Sequence, residues 1–176
     1  MKCVTFRCRF TEISARLSSK LVRLLLDNLF SQFDDIVSAE KLWKMDTVGD
    51  AYVVVGGLVE PASKEHLVDR FIHVAQKMVN IVEQFKVFTR HNVGIRVSIH
   101  VGPATTGVVG RLRPRFYAFG KTMEESVKLE YTGKTNQIHI SQKAAELYRQ
   151  NQFVLKRRDI NEEGISFPTY FVESAS

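Results

Sequence analysis

Cysteine is scarce in this sequence, with only Cys3 and Cys8 among 176 residues. Five positions apart in a strand, the two side chains would point to opposite faces of a sheet, so they cannot bridge each other locally. A disulfide framework is therefore excluded as a source of stability. We expect a reducing compartment, the cytoplasm, for this chain.

Long apolar runs are missing as well. No stretch is long enough to span a membrane, and the amino terminus lacks the apolar segment of a signal peptide. Internal repeats and low-complexity segments are also absent. Because the chain starts almost inside a strand, we expect residues 1–176 to be a single domain cut from a longer protein, such as the cytosolic part of a membrane protein.

The composition that is present suits a globular domain with an anionic partner. Hydrophobic residues make up 44% of the chain, enough for a core, and 25 Lys and Arg against 19 Asp and Glu give a net charge of +6. A mildly basic surface favours a phosphate-bearing ligand, although surplus cations commonly only coat a surface.

Hydrophobic periodicity predicts strands and helices that alternate, with hairpins between them. The main predicted elements are a strand around 4–10, a helix from 19 to 37, a hairpin of 41–47 and 51–57, a helix over 67–85, a strand at 94–102, short strands in 102–120, a helix at 121–131, a strand at 137–141, a helix at 142–150, and strands at 153–155 and 169–172. This order predicts an α+β fold with a mixed, mainly antiparallel sheet and helices packed on one face. Charged residues on the opposite face would then need water or a partner chain.

Two acids stand at the turn of the first hairpin, in "KMDTVGDAYVVVGG". Asp46 and Asp50 flank Val48-Gly49. A turn aspartate is ordinary, because its side chain bonds nearby amides. The alternative is that the two acids hold a metal, a base or both.

Six segments occur in an order and spacing that resemble class III nucleotide cyclase catalytic domains, the adenylate and guanylate cyclases. They are "LLLDNLFSQFDDIV", "KMDTVGDAYVVVGGL", "VSIHVGPATTGVVG", "PRFYAFGKT", "YTGKTNQIHIS" and "TYFV". The resemblance implies a ferredoxin-like βαββαβ core with C-terminal α/β additions. It also implies a head-to-tail dimer of two cyclase domains, with an active site between the chains. There a purine nucleoside triphosphate becomes a 3′,5′-cyclic monophosphate and pyrophosphate.

The resemblance also implies two divalent cations, Mg²⁺ or Mn²⁺, held by two aspartates of one chain. Asp50 matches the aspartate at the hairpin tip. Counting back from Phe10-Thr11, the other aspartate's position falls on Phe6, so that ligand is lost. A fragment or gene-model error in residues 1–9 is an alternative explanation of this departure.

The base-reading positions lean towards guanine. Asp46 falls where guanylate-type members carry Glu and adenylate-type members carry Lys. Guanine offers N–H donors that suit a carboxylate, whereas adenine offers an acceptor there, so GTP is favoured over ATP. Tyr117 falls at the second base-reading position. The alternative is an exposed strand acid and a core aromatic.

Three further family positions have changed. The resemblance implies an Asn and an Arg on a helix that read the base of the partner chain's nucleotide, and a C-terminal Lys that binds the phosphates; Glu124 replaces the Asn, Lys128 the Arg and Glu162 the Lys. Lys128 keeps the positive charge without the planar fork, so it is the weak remaining catalytic candidate. Spaced i, i+4, Glu124 and Lys128 are also predicted to form a plain surface ion pair.

Two functions therefore remain open. The first is a degenerate cyclase domain that acts as partner half of a cyclase dimer. The second is an active, divergent guanylate or adenylate cyclase half that uses Asp50 for metal. A nucleic-acid binding role is disfavoured, because the exposed aromatic stacking motif of basic ferredoxin-like sheets is absent.

Overall fold

The structure, a computed structural model of the chain, describes residues 2–11, 18–58, 62–89, 93–158 and 165–174, the first of these ranges by its backbone. The strands in these ranges are β1 (Lys2–Thr11), β2 (Trp43–Val48), β3 (Ala51–Gly56), β4 (Gly94–Pro103), β5 (Thr105–Val109), β6 (Arg115–Phe119), β7 (Ile138–Ser141), β8 (Phe153–Arg158) and β9 (Thr169–Ser174). The helices are α1 (Ser19–Ala39), α2 (Lys64–Thr89), α3 (Lys121–Tyr131) and α4 (Gln142–Ala145). Within the same ranges, no helix has the length and apolar character to cross a membrane.

Seven strands form one sheet in the order β2-β3-β1-β4-β7-β9-β8, and β5 pairs with β6 in a separate ribbon. The order β2-β3-β1-β4, with antiparallel neighbours, is that of a ferredoxin-like βαββαβ core. β4 and β7 pair in parallel, so the sheet is mixed and mainly antiparallel. The predicted α+β class and core are confirmed.

The main apolar core lies between one face of this sheet and the helices α1 and α2. Every fourth residue along one stripe of α1 is buried, as helical periodicity requires: Leu25, Leu29, Phe33 and Val37. Alternate residues of β4 enter the same core: Ile95, Val97, Ile99 and Val101. The apolar positions that the sequence pattern predicts for α1 and β4 therefore pack together in one cluster.

The opposite face of β4 is polar and is covered by α3. Three contacts join alternate residues of β4 to this helix: Arg96 Nε to Glu130 Oε1 at 2.9 Å, Ser98 Oγ to the Ser126 carbonyl at 3.1 Å, and His100 Nε2 to Glu125 Oε2 at 3.0 Å. The expectation that the helices lie on one face is wrong. Buried polar groups need hydrogen-bond partners, and α3 supplies them where water or a partner chain was expected.

The first hairpin is fixed to α1 by the Asp34 carboxylate. The phenol of Tyr52, on β3, donates to Asp34 Oδ1 at 2.5 Å, and Lys44 Nζ, on β2, donates to Asp34 Oδ2 at 2.8 Å. The Lys44 ammonium also lies 4.9 Å from the centre of the Tyr52 ring, where a cation–π attraction operates. One acid on α1 thus contacts both strands of the hairpin.

The fourth helix is shorter than predicted, ending at Ala145 instead of residue 150. Ser141 caps its start as expected, accepting from the Ala144 amide. Beyond the end of the helix, the Arg149 amide donates to the buried Asp69 carboxylate on α2, at 3.0 Å. That amide would bond Ala145 in a continued helix, so the contact with Asp69 ends the helix early.

His139, on β7, is fully buried beneath α3. Its Nδ1–H donates to the Leu129 carbonyl at 2.9 Å, and its ring stacks on Phe171 at a centroid distance of 4.8 Å. Its Nε2 has no hydrogen-bond partner in the described part of the chain. Burial lowers the pKa of His139 to about 4, and it also lowers the pKa of His100, which Glu125 partly offsets.

Stability is expected to fall in mild acid because of His139. Its pKa is about 4 when folded and 6.5 when exposed, so the unfolded chain takes up the proton first. The contribution is therefore complete above about pH 6.5 and is lost towards pH 4, at up to about 1.4 kcal/mol per pH unit. Urea titrations across this range should show a shallower slope for His139→Asn, and His66→Asn, on the exposed side of α2, is the matched control. Equal slopes for the wild type and His139→Asn would contradict this assignment.

Candidate active site

The tip of the first hairpin presents Asp50 at the edge of the core sheet. Gly49 has a φ of +62°, a left-handed conformation that glycine adopts without strain, and it turns the chain between β2 and β3. Asp50 follows it and is half-buried. The predicted position of Asp50 at a hairpin tip is thus where the structure has it, while its role as a metal ligand stays a prediction.

The strand β1 lies directly beside this hairpin, and its register separates Phe6 from the tip. Arg9 pairs with Ala51, next to Asp50, whereas Phe6 pairs with Val54, three positions further along β3. On the other side Phe6 pairs with Ile99, and both of its cross-strand neighbours belong to the apolar core. Counting along the sequence assigned Phe6 to the lost metal position, but the β1 residue level with the tip is Arg9.

The residues of this corner do not fit a pair of divalent cations. β1 contains no aspartate or glutamate, and a cation on one aspartate would lie beside the strand position of Arg9. Among the residues that the structure describes, no group of three or more His, Cys, Asp or Glu side chains could hold a metal ion. Hard divalent cations take six or more oxygen ligands, of which Asp50 offers only its own carboxylate oxygens.

Asp46 occupies β2 just after an irregularity in the strand pairing. The register shifts between Lys44 and Asp46, which leaves Met45 as the extra residue of a bulge. Asp46 Oδ1 accepts from the Thr47 amide at 2.8 Å, and Oδ2 lies 3.4 Å from Arg115 Nη1. The carboxylate is therefore oriented by two donors, and it is joined to the ribbon formed by β5 and β6.

Tyr117 lies on that ribbon, two residues after Arg115. Alternate residues of a strand share a face, so Arg115, Tyr117 and Phe119 lie on the same side of β6. The centroids of the Tyr117 and Phe119 rings are 5.8 Å apart. Tyr117 is half-buried and is not part of the main apolar core. The structure thus brings Asp46 and the strand of Tyr117 together, with Arg115 as the link.

Sequence reasoning missed Arg115. It was read only as part of the basic segment "RLRPR", and its ion pair with Asp46 spans 69 positions. The available signal was the alternation of Arg115 with Tyr117, which puts both on the face that was expected to read the base.

The remaining predicted positions lie on α3 or beyond the described ranges. Glu124 and Lys128 are both exposed, one turn apart on α3. They are not joined in an ion pair in the part of the chain that the structure describes; on this helix Lys121 pairs with Glu125, at 3.6 Å. The predicted Glu124–Lys128 pair is therefore wrong, and the ion pairs of this helix instead involve Glu125, which contacts His100 and Lys121. Glu162 lies outside the described residues.

Solved structures of nucleotide cyclase domains superpose on nearly the whole chain. The guanylate cyclase domain of RhGC from Catenaria anguillulae in complex with GTP matches with a TM-score of 0.88 at 29% identity, covering 99% of this chain and 97% of that one. The adenylyl cyclase CyaB from P. aeruginosa matches with a TM-score of 0.87 at 19% identity, over 99% of this chain and 94% of that one. Because its sequence identity is only 19%, the match with CyaB supports the fold alone.

Curated relatives are guanylate cyclases much longer than this chain. Guanylate cyclase soluble subunit beta-2 of Rattus norvegicus is 32% identical over 166 residues, which is 93% of this chain and 24% of that protein. Receptor-type guanylate cyclase gcy-5 of Caenorhabditis elegans is 33% identical over 141 residues, 79% of this chain and 12% of that protein. The model of the adenylate and guanylate cyclase catalytic domain matches residues 5–174. This chain therefore belongs to the class III nucleotide cyclase catalytic domain family, on its guanylate cyclase side.

Proposed function

We propose that this chain is a degenerate class III cyclase domain, which pairs head to tail with a second cyclase domain and does not cyclise nucleotides by itself. The observation that carries the proposal is the strand β1. It runs beside the hairpin tip without a single carboxylate, and Arg9 pairs with Ala51, the residue after Asp50. One acid at the hairpin tip, with an arginine and no carboxylate at the paired position of β1, is insufficient for the two cations that the family's chemistry requires.

The changes on α3 support the same conclusion for the other half of the site. Glu124 puts a negative charge on the exposed face where the family carries an Asn, and Lys128 has lost the planar fork of Arg. Each lost stabiliser of developing charge typically lowers the rate by about 10²–10³-fold. Since both halves are impaired, a homodimer would repeat the deficits.

The arrangement of Asp46, Arg115 and Tyr117 supports a remaining preference for guanine nucleotides. Arg115 and the Thr47 amide hold the Asp46 carboxylate in one orientation, on the side of β6 that also carries Tyr117. Guanine N1–H and N2–H₂ can donate to such a carboxylate, whereas adenine N1 is repelled by it. This arrangement is also the observation that favours the second candidate, an active guanylate cyclase half that uses Asp50 with Mg²⁺ or Mn²⁺.

We expect no cyclic nucleotide from the purified chain with Mn²⁺ and either GTP or ATP, even at high protein concentration, because one carboxylate is insufficient for two cations. Product would be measured by chromatography after long incubation. Formation of cyclic GMP that disappears in Asp50→Ala would overturn the proposal in favour of an active half.

Restoring an acid beside the tip should restore metal binding. We expect Arg9→Asp to raise the affinity for Mn²⁺ by at least about tenfold over the wild type, because a second carboxylate replaces a repelling cation. Isothermal titration calorimetry would measure this affinity, and the gain should vanish in Arg9→Asp/Asp50→Ala. Tight Mn²⁺ binding by the wild type would show that the residues around Asp50 still form a metal site, and it would contradict the proposal.

Removing the Asp46 carboxylate should reduce the preference for guanine. In Asp46→Ala the donors of guanine lose their acceptor, so we expect the ratio of GTP to ATP affinity to fall by about tenfold or more. Competition against a fluorescent GTP analogue would measure it. Glu173→Gln is the matched control, because Glu173 also pairs with a cation, Lys156, far from this corner. An unchanged ratio in Asp46→Ala would rule out its role as base reader.

A further inference from the structure

The bulge in β2 places Lys44 and Asp46 on opposite faces of the sheet, although two such residues of a regular strand share a face. Lys44 pairs with Val54, and Asp46 pairs with Val53, so Met45 is the extra residue between them. Residues paired across antiparallel strands lie on the same face. Since Val54 belongs to the main apolar core, Lys44 lies on the side of α1 and α2, whereas Asp46 lies towards the ribbon of β5 and β6.

The hairpin turn fixes the pairing on one side of this bulge. Its loop has two residues, Gly49 and Asp50, and the length of a hairpin loop fixes the register of the strands that it joins. Continued through a regular strand, that register would put Met45 opposite Val54, in the main core, and would move Lys44 to the other face. The turn alone therefore does not account for the position of Lys44.

The Asp34 carboxylate, on α1, holds the other side of the bulge. Lys44 Nζ lies 2.6 Å from Asp34 Oδ1 and 2.8 Å from Oδ2, so the ammonium contacts both oxygens. The phenol of the buried Tyr52 donates to Oδ1 at 2.5 Å and thereby orients the carboxylate. The Tyr52 ring in turn packs against Phe30 and Phe33 of α1, at centroid distances of 5.3 Å and 5.6 Å. Lys44 is thus bound to a well-packed part of the core.

Both residues of the bulge contact the ribbon. Met45 packs against the small apolar cluster that includes Ala118 of β6, and Asp46 pairs with Arg115 of the same strand. In the register that the turn alone would set, Met45 would leave this cluster for the main core. The side chain of Lys44 on one face and that of Met45 on the other therefore favour the same bulged pairing.

The ion pair between Asp34 and Lys44 contributes little to the stability of the fold. Lys44 keeps 35% and Asp34 46% of the side-chain surface exposed, and water screens an ion pair at such exposure. A small free energy is nevertheless sufficient to select between two registers that satisfy nearly the same backbone hydrogen bonds. The main effect of the pair is therefore on the geometry of β2.

We propose that Asp34 is a positioning residue for base recognition: through Lys44 it holds the bulge at Met45, and the bulge orients the Asp46 carboxylate towards Arg115 and the nucleotide base. The inference rests on the proposed preference for guanine nucleotides. It adds a residue of α1, on the far side of the sheet from the base-reading carboxylate, to the determinants of that preference.

Two substitutions break this link without leaving a buried group unsatisfied. Asp34→Asn removes the charge that holds Lys44, while its amide oxygen still accepts from the Tyr52 phenol. Lys44→Met places two methionines in succession, so that either of them can enter the core, and the register is no longer selected by charge. Melting temperatures close to that of the wild type should show that both variants fold.

The control and the two measurements are matched to this design. Lys156→Met is the control, because Lys156 also pairs with an acid of the neighbouring strand, Glu173, at 3.6 Å. Cross-strand nuclear Overhauser effects report, without any nucleotide, whether Val54 faces residue 44 or Met45. Competition against a fluorescent GTP analogue gives the ratio of GTP to ATP affinity.

We expect residue 44 opposite Val54 in the wild type and in Lys156→Met, and Met45 in its place in Asp34→Asn and Lys44→Met. The same two variants should lower the ratio of GTP to ATP affinity by about tenfold, as Asp46→Ala does. Added to Asp46→Ala, Lys44→Met should lower the ratio no further, because both substitutions act through one carboxylate.

An unchanged pairing at Val54 in both variants would overturn the inference, and so would additive effects of Lys44→Met and Asp46→Ala on the ratio. A ratio that falls in Asp46→Ala but not in Lys44→Met would overturn the positioning role of Asp34 and leave guanine recognition standing. An unchanged ratio in Asp46→Ala, or a wild type that binds neither nucleotide, would overturn guanine recognition and the inference with it.

Discussion

The packing of α3 on the polar face of β4 is the interaction on which the other features depend. Glu130 is fully buried and accepts from Arg96, so removal of Arg96 would take a cation away from a buried carboxylate. Together with the contacts from Ser98 and His100, this ion pair fixes the position of α3 along β4 and the rotation of the helix about its own axis. The exposed side of α3, with Glu124 and Lys128, faces outward as a consequence.

Much of the fold could be predicted, because the apolar periods of α1, α2 and β4 are regular. The hairpin was predictable from Gly49 between two strand-like runs. The position of α3 was not, because alternating polar residues on β4 are equally compatible with solvent. The early end of α4 was also hidden, since the Asp69 carboxylate that stops it comes from a helix 80 positions away. Long-range polar contacts have no local signature in the sequence.

The candidate site was predictable in its residues more than in its geometry. Asp46, Asp50 and Tyr117 could be identified from family spacing, and the first two lie on the same hairpin. Counting along the sequence could not decide which residue of β1 lies beside the hairpin tip, because a count does not show how neighbouring strands are paired. In the structure β1 extends to Thr11 and pairs with β4 along its whole length, and its register with β3 places Arg9 opposite Ala51. Register is fixed by pairing, and a sequence shows it only indirectly.

The last strand of the sheet has a consequence for the behaviour of the protein in concentrated solution. β8 is an edge strand of the seven-stranded sheet, next to β9, and it carries three consecutive cationic residues, Lys156, Arg157 and Arg158. The backbone N–H and C=O groups of an edge strand can pair with a strand of another molecule, which is the first step towards intermolecular sheets and amyloid. When two such edge strands approach each other, the arginines of both copies, Arg157 and Arg158, bring four like charges together, while Lys156 is paired with Glu173. The positive charge of β8 therefore disfavours strand pairing between two copies through this side of the sheet.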